Sequence, residues 1–451
     1  MSALLLVLLA QVTTPEPTPP PSAIVPEGPV PSLVTDSPKK QADLEPTTSL
    51  KELLELVEKS NVDRMLSVEA VHRAEADLNV AWSALFPAVT LSGVWTHNQY
   101  ATVIPAGTFG PSAVQISPAD QLDGVLKVDL SLVDVSRWAR VSASRDSREA
   151  AAARDLASRD MVRRALALAW FSYAGALALK DSAERTVTVA EAQLKLQEIR
   201  QRSGATTELD LLRSRAEVER NRQSVADAVR LSLITRRSIQ TLTGKDPGPA
   251  ARLPEVDLSP AMPLEELEKG VDALPQVRAA LKDLETAHDL TRAATLALVL
   301  PTVGAQFTER LTNASGFSGH DATFNLGLNF AWRLDGPGIM NRDVADSNEN
   351  SARLAAEKVR LVARDLIHSD WQSLVAAQTK VKAAQVQVEA ASRAQSVAAT
   401  RYQVGATTQL EEIQAERDLF GAEVQLIQAR SELASARVAL QLSAGLALEV
   451  P

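Results

Sequence analysis

Gly204-Ala205-Thr206-Thr207-Glu208-Leu209-Asp210 and Gly405-Ala406-Thr407-Thr408-Gln409-Leu410-Glu411 are near copies of each other at matching places in the two halves of the chain. Each follows a long segment rich in Ala, Gln and Val with helical spacing and precedes another, so each reads as a tight turn between two long helices. Gly204 and Gly405 supply the permissive backbone that ends the incoming helix. Thr207 with Asp210, and Thr408 with Glu411, have the spacing of a capping box, in which hydroxyl and carboxylate satisfy the free amides that begin the outgoing helix. The chain therefore presents the tip of a helical hairpin twice.

Outward from the tips, the first long helix is expected from near Val135 to Arg202, roughly 65 residues or about 100 Å at 1.5 Å per residue. After the first tip, a helix runs from Thr207 to about Leu242 and stops at Gly244. The second half repeats this with a long helix from Asn341 to Val404, a tip, and a helix from Thr408 to about Leu442. Ala165 to Leu179 is apolar, but Arg164 and Lys180 bound it and it falls short of the roughly 20 residues of a membrane-spanning helix. Its alanines suit close packing against other helices.

Before each long helix the period changes. Leu50 to about Phe86 has helical spacing and ends at Pro87; then Val89, Leu91, Gly93 and Trp95 alternate with Thr90, Ser92 and Thr96. A loop rich in Pro, Gly and Ser around Pro105 to Pro118 is followed by stronger alternation, Leu122, Gly124, Leu126, Val128, Leu130 and Leu132 against Asp123, Lys127, Asp129 and Ser131. Leu264 to Leu300 repeats the helix and Pro301 ends it. A second hairpin follows, with Val303, Ala305 and Phe307 in one strand and Phe324, Leu326, Leu328, Phe330 and Trp332 in the other. At about ten residues per strand these hairpins have bilayer-crossing height.

The expected organisation is a signal peptide over 1–12, a Pro-rich flexible segment over 13–48, a first repeat over 49–244 and a second over 264–446. An inter-repeat linker over 245–263 joins them. The hairpins fall at 88–133 and 302–333, and the tip turns at 203–207 and 404–408. The apolar run Ala3 to Ala10 resembles a signal-peptide core, without a preceding Lys or Arg and without a clean cleavage site.

With 451 residues, 4% aromatic content and a net charge of -9, the chain suggests long thin elements and has no basic footprint for nucleic acid. It contains no cysteine, which excludes disulfides, thiolate-held metals, a thiol nucleophile and a lipidated N-terminal cysteine. His72, His97, His288, His320 and His368 lack metal-ligand spacing, so no metal, cofactor or catalytic residue is assigned. Four amphipathic strands cannot close a barrel alone, and open edges are not tolerated in hydrocarbon. Three copies would give twelve antiparallel strands, within the range of outer-membrane barrels. Ala383, Ala384, Ala390, Ala391, Ala394, Ala398 and Ala399 would let the helices pack side by side. The fold class expected is mainly α with a pair of membrane β-hairpins: a long α-helical barrel joined to a trimeric twelve-strand β-barrel, with an internal two-fold repeat. The competing class is a periplasmic coiled-coil scaffold or adaptor without a pore. It explains the helices but not the two alternating hairpins.

The sequence resembles the TolC-like outer-membrane efflux protein family from about Thr48 to Leu446. The resemblance is carried by the Phe86-Pro87 and Leu300-Pro301 breaks, Asn61, Leu274-Pro275-Gln276-Val277, Trp332-Arg333-Leu334-Asp335-Gly336 and Arg401-Tyr402-Gln403-Val404-Gly405. Leu242-Thr243-Gly244 and Leu442-Ser443-Ala444-Gly445 close the repeats in the same manner. It implies a homotrimeric channel-tunnel, with a barrel in outer-membrane lipid and a helical conduit in the periplasm. It also implies docking to a periplasmic adaptor (membrane fusion protein) and an inner-membrane pump. Drugs, metal ions or a secreted polypeptide would use the same duct. The resemblance further implies a periplasmic gate at the tips: Tyr402 as gate tyrosine, Asp210 as its partner from the first repeat, and Glu411 as the first of two constricting acids. Gln414 stands where the second acid would be, and Thr407 where an arginine link would be. Asp210 and Glu411 equally suit plain helix capping.

Overall fold

The computed structural model describes residues 49–448 apart from 109, 250 and 334. The expected signal peptide over 1–12 and the Pro-rich segment over 13–48 lie outside the described residues. Two helices exceed everything else in length: α3 (Val135–Arg202) and α7 (Gly336–Gln403), each of 68 residues. Both start from an aspartate that caps the first turn. Asp134 accepts from the amide of Arg137, and Asp335 accepts from that of Gly338. The returning helices are α4 (Glu208–Thr243) and α8 (Gln409–Ser443). From Asp134 to Gly244 and from Asp335 to Gly445, equivalent landmarks stay 201 positions apart, so the two repeats coincide without insertion over their helical length.

The entry helix of each repeat is broken where the periodicity predicts one piece. The first is α1 (Leu50–Ser60) followed by α2 (Val62–Ser83). Between them Asn61 takes extended backbone, and its side-chain oxygen caps α2 through the amides of Asp63 and Arg64 at 2.9 and 3.2 Å. Its amide donates to the carbonyl of Leu242, which ties the break to the end of α4. In the second repeat α5 (Leu264–Glu268) and a 3-10 turn precede α6 (Pro275–Val299). There proline does the breaking. Leu274 is pushed to extended backbone ahead of Pro275, which occupies the first turn of α6. Around these breaks lie two apolar clusters. One gathers Leu53, Val57, Leu166, Phe171, Tyr173 and Ile239; the other gathers Val271, Val277, Ile367, Leu374, Val381 and Leu433.

β1 (Ala88–His97), β4 (Asp120–Val133), β5 (Thr302–Thr312) and β6 (Ala322–Ala331) form one antiparallel sheet in the order β1-β4-β5-β6, and the two repeats join through β4 and β5. The loop expected around Pro105 to Pro118 carries a separate small ribbon of β2 (Thr102–Ile104) and β3 (Val114–Ser117). Register sorts the main sheet into two faces. Val89, Leu91 and Trp95 stand opposite Val128, Leu126 and Leu122. Phe307, Ala305 and Val303 stand opposite Leu326, Leu328 and Phe330. The other face carries Lys127 opposite Thr308, Asp129 opposite Gln306 and Asp123 opposite Thr312. Glu309, between Leu126 and Phe324, and the His97–Asp120 pair are ionisable groups on the apolar face.

Candidate functional site at the hairpin tips

Both tips end their incoming helix in the same way. Gly204 and Gly405 have φ of 71 and 74°, the left-handed region that favours glycine. The amide of Ala205 reaches the carbonyl of Arg200 at 2.8 Å, and that of Gly204 reaches Gln201 at 2.9 Å. At the second tip Ala406 reaches Arg401 at 2.8 Å and Gly405 reaches Tyr402 at 3.1 Å. These are paired Schellman closures. The outgoing helices are capped by threonine, Thr207 accepting from the Asp210 amide at 3.2 Å and Thr408 from that of Glu411 at 3.4 Å. Only half of the expected capping box forms, because the Asp210 carboxylate accepts the Thr207 hydroxyl at 2.7 Å instead of reaching back to an amide.

Beyond the turns the two tips diverge. The Tyr402 hydroxyl accepts from Nε2 of the buried Gln197 at 2.8 Å, and the Arg200 guanidinium lies 5.2 Å from its ring centroid. Asp210 pairs with Arg213 on its own helix. The Tyr402–Asp210 link implied by the resemblance is therefore not made within the chain: Gln197, facing α7 from α3, takes the phenol, and local capping takes the carboxylate. Glu411 is exposed. Gln414 donates to Asp418 at 2.9 Å along α8.

Sequence reasoning missed the residues that join the tips to each other. Gln409 is buried and donates to Ser214 at 2.5 Å. Glu217 is buried on α4 and accepts both Nε, at 3.0 Å, and a terminal nitrogen of Arg417 on α8. That pair holds the Arg417 pKa up through its hydrogen bonds. Gln193 on α3 donates to Glu416. Burial, then the neighbouring Glu416, pushes Glu412 up to about 7, against the pull of Arg200. Glu416 is also raised, first by burial and then by the charge of Glu217. A usable signal was present: 201 positions before Glu412 stands Leu211, so one repeat places a carboxylate where the other buries a leucine.

At the other end of the long helices the sheet offers chemistry of a different kind. On its polar face Arg310 holds Asp123 at 2.7 and 3.0 Å, and Lys127 lies 3.0 Å from Asp129. On its apolar face Leu91, Phe324, Leu326 and Leu328 are 72 to 80% exposed. No helix among the described residues is long and apolar enough to cross a membrane.

The profile of the family described as Outer membrane efflux protein matches the chain twice, over residues 63–245 and 272–446. No curated protein matches it. Among solved structures it is similar to the Campylobacter jejuni CmeC outer membrane channel, with TM-score 0.76 and 16% identity over 93% of this chain and 94% of that one. It is also similar to the outer-membrane channel OprN, with TM-score 0.75 and 23% identity over 89% and 90%. The outer membrane protein VceC of Vibrio cholerae gives TM-score 0.74 and 18% identity over 89% and 97%. At these identities the likeness is one of fold.

Proposed function

The chain belongs to the outer membrane efflux protein family, and from that premise we propose that three copies form an exit duct through the outer membrane and periplasm. The observation that carries this reading is the sheet. Its apolar face is exposed along β1 and β6, and its outer strands β1 and β6 each have one neighbour. In water such a face and two open edges would drive aggregation; in hydrocarbon the face is favourable, and joining β6 of one copy to β1 of the next removes the edges. The polar face then lines a water-filled lumen. A periplasmic scaffold without a pore would gain nothing from this arrangement.

The long helices follow as walls of a periplasmic conduit, with the hairpin tips at its entrance. Tyr402, Gln197 and Glu411 sit there as closing elements. A periplasmic adaptor and an inner-membrane pump would complete a tripartite path, the pump choosing the cargo. The test is to purify the full chain from membranes, measure its oligomeric state and record single-channel conductance in planar bilayers. Trimers that fractionate with the outer membrane and conduct are expected; a wholly soluble, non-conducting monomer overturns the reading. Leu328→Arg should reduce insertion, because a charge on a lipid-facing strand near mid-membrane costs about 2 to 4 kcal/mol. Normal trimer yield from that variant would mean the faces are reversed.

A further inference from the structure

The inter-repeat linker carries no helix or strand among its described residues, yet side chains strap it down along its length. Tyr173 donates to the carbonyl of Gly248 at 2.7 Å and Arg430 to that of Pro254 at 3.1 Å. Arg437 donates to the carbonyl of Asp257 at 2.9 Å, and Trp371 to that of Met262 at 3.0 Å. Where the strap runs along α8 it leaves a cavity of about 290 Å³. Val256 of the linker and Leu433, Ala434 and Val438 of α8 make its apolar wall, and Arg430, Arg437 and Gln441 supply polar groups. Seven buried side-chain polar atoms among the described residues lack a hydrogen-bond partner, and three of them, Arg430 Nε, Arg437 Nε and Gln441 Oε1, belong to this one lining. Such atoms are rare in folded proteins, and their concentration around a cavity marks a place suited to a ligand's polar groups.

The charges set the sign of that ligand. Arg437 is neutralised by Asp257 at 2.8 Å, whereas Arg430 forms no ion pair among the described residues. Glu255 also lines the cavity, but it is exposed and its charge is dispersed in water. One uncompensated guanidinium calls for one negative charge; a dianion would leave excess charge beside Asp257 and Glu255. Size follows from the lining. Arg430 and Gln441 are eleven residues apart on α8, about 16 Å at 1.5 Å per residue, so the polar groups are spread along the helix. At about 30 Å³ for a water molecule, the volume admits roughly ten heavy atoms. We infer that this cavity binds an elongated apolar monocarboxylate, its carboxylate on Arg430 and its chain along Leu433, Ala434 and Val438. The ligand arrives from water and not from a bilayer. Arg164 touches both Asp370 and Ala439, which sets this end of α8 about 50 Å down α7 from the sheet. The site stands whether or not the chain forms a duct.

Octanoate, with one charge and a chain of fitting length, is the probe. It is titrated calorimetrically into the full chain in phosphatidylcholine nanodiscs at neutral pH, where the carboxylate is ionised, with empty nanodiscs as the blank for membrane partition. Saturable binding of one octanoate per chain is expected, and its absence overturns the site. 1-Octanol, matched in length without the charge, and butyrate, four methylenes shorter, should each bind at least about tenfold more weakly. R430M should weaken octanoate about tenfold and leave octanol unchanged, because only the anion uses the guanidinium. A434L fills the apolar wall and should weaken both. E255Q should tighten octanoate, since it removes a like charge beside the cavity. Circular dichroism and melting temperature establish that each variant is folded, and A434L decides the matter if R430M is not. Equal affinity of the parent for octanol and octanoate, or unchanged octanoate binding in the folded variants R430M or A434L, overturns the inference.

Discussion

The two hairpin tips share a backbone and differ in almost everything the backbone carries. Both close with a left-handed glycine, a paired set of carbonyl contacts and a threonine cap. Yet Glu208 is exposed where Gln409 is buried, Leu211 is buried where Glu412 titrates, and Leu212 is exposed where Ile413 is buried. Glu217 is buried and ion-paired where Asp418 is exposed. These differences are confined to the first turns of the outgoing helix; further along, Asn221, Ala228, Ser232 and Ile239 and their equivalents Ala422, Ala429, Leu433 and Leu440 are all buried. A duplicated turn thus presents two different surfaces, one anchored locally and the other stitched across to its neighbour.

The largest expected effect breaks that stitching. Arg417→Met leaves Glu217 buried without its cation and should cost about 3 kcal/mol, toward the lower end for a broken buried pair because Arg417 is partly exposed. Its contrast is Gln414→Ala, which strips a partner from exposed Asp418 and should stay within about 0.5 kcal/mol. Denaturant unfolding of both variants measures the asymmetry, and equal costs would show that the tips are energetically alike. A smaller effect should be symmetric. Gly204→Ala and Gly405→Ala each force an L side chain into the left-handed region, at about 1 to 2 kcal/mol.

Threonine caps should follow. Thr207→Ala and Thr408→Ala are each expected to cost about 1 kcal/mol, and a cost confined to one tip would mean that capping depends on the neighbour rather than on the turn. A pH-dependent effect sharpens the difference again. Because burial raises Glu412 to about 7 from the 4.5 of a free glutamate, the folded chain keeps a proton that the unfolded chain releases. Its contribution to stability is complete below pH 4.5 and is lost as pH rises to about 7. Glu412→Leu, which copies Leu211, should flatten that part of the stability profile and leave the rest unchanged.

Much of the architecture was legible because it is encoded at short range. Apolar residues two apart mark the strands, residues three and four apart mark the helices, and glycine followed by threonine marks the tips. The breaks in the entry helices were harder to see. Asn61 interrupts α1 and α2 only because its side chain caps one helix while its amide meets Leu242 of another, and Val62 and Leu66 continue the apolar pattern straight across it. Pro275 was a visible signal, yet the helical spacing on both sides masked it. For the candidate site, Tyr402 and the tip residues were readable from their motif. Their partners were not: Gln197, Gln193 and Glu217 look like surface residues in a helix rich in Gln, Glu and Arg.

By itself the sequence determined the duplicated hairpin, the two faces of each strand, the caps, and the absence of thiols. All of these depend on residue type or on spacing within a few positions. The tertiary structure alone decided that Gln197 rather than Asp210 meets Tyr402, that Glu217 meets Arg417, and that Gln193 meets Glu416. Those partners lie about 200 residues apart in the chain, and a helix rotated by one residue about its axis exchanges its buried and exposed side chains without altering a single local signal.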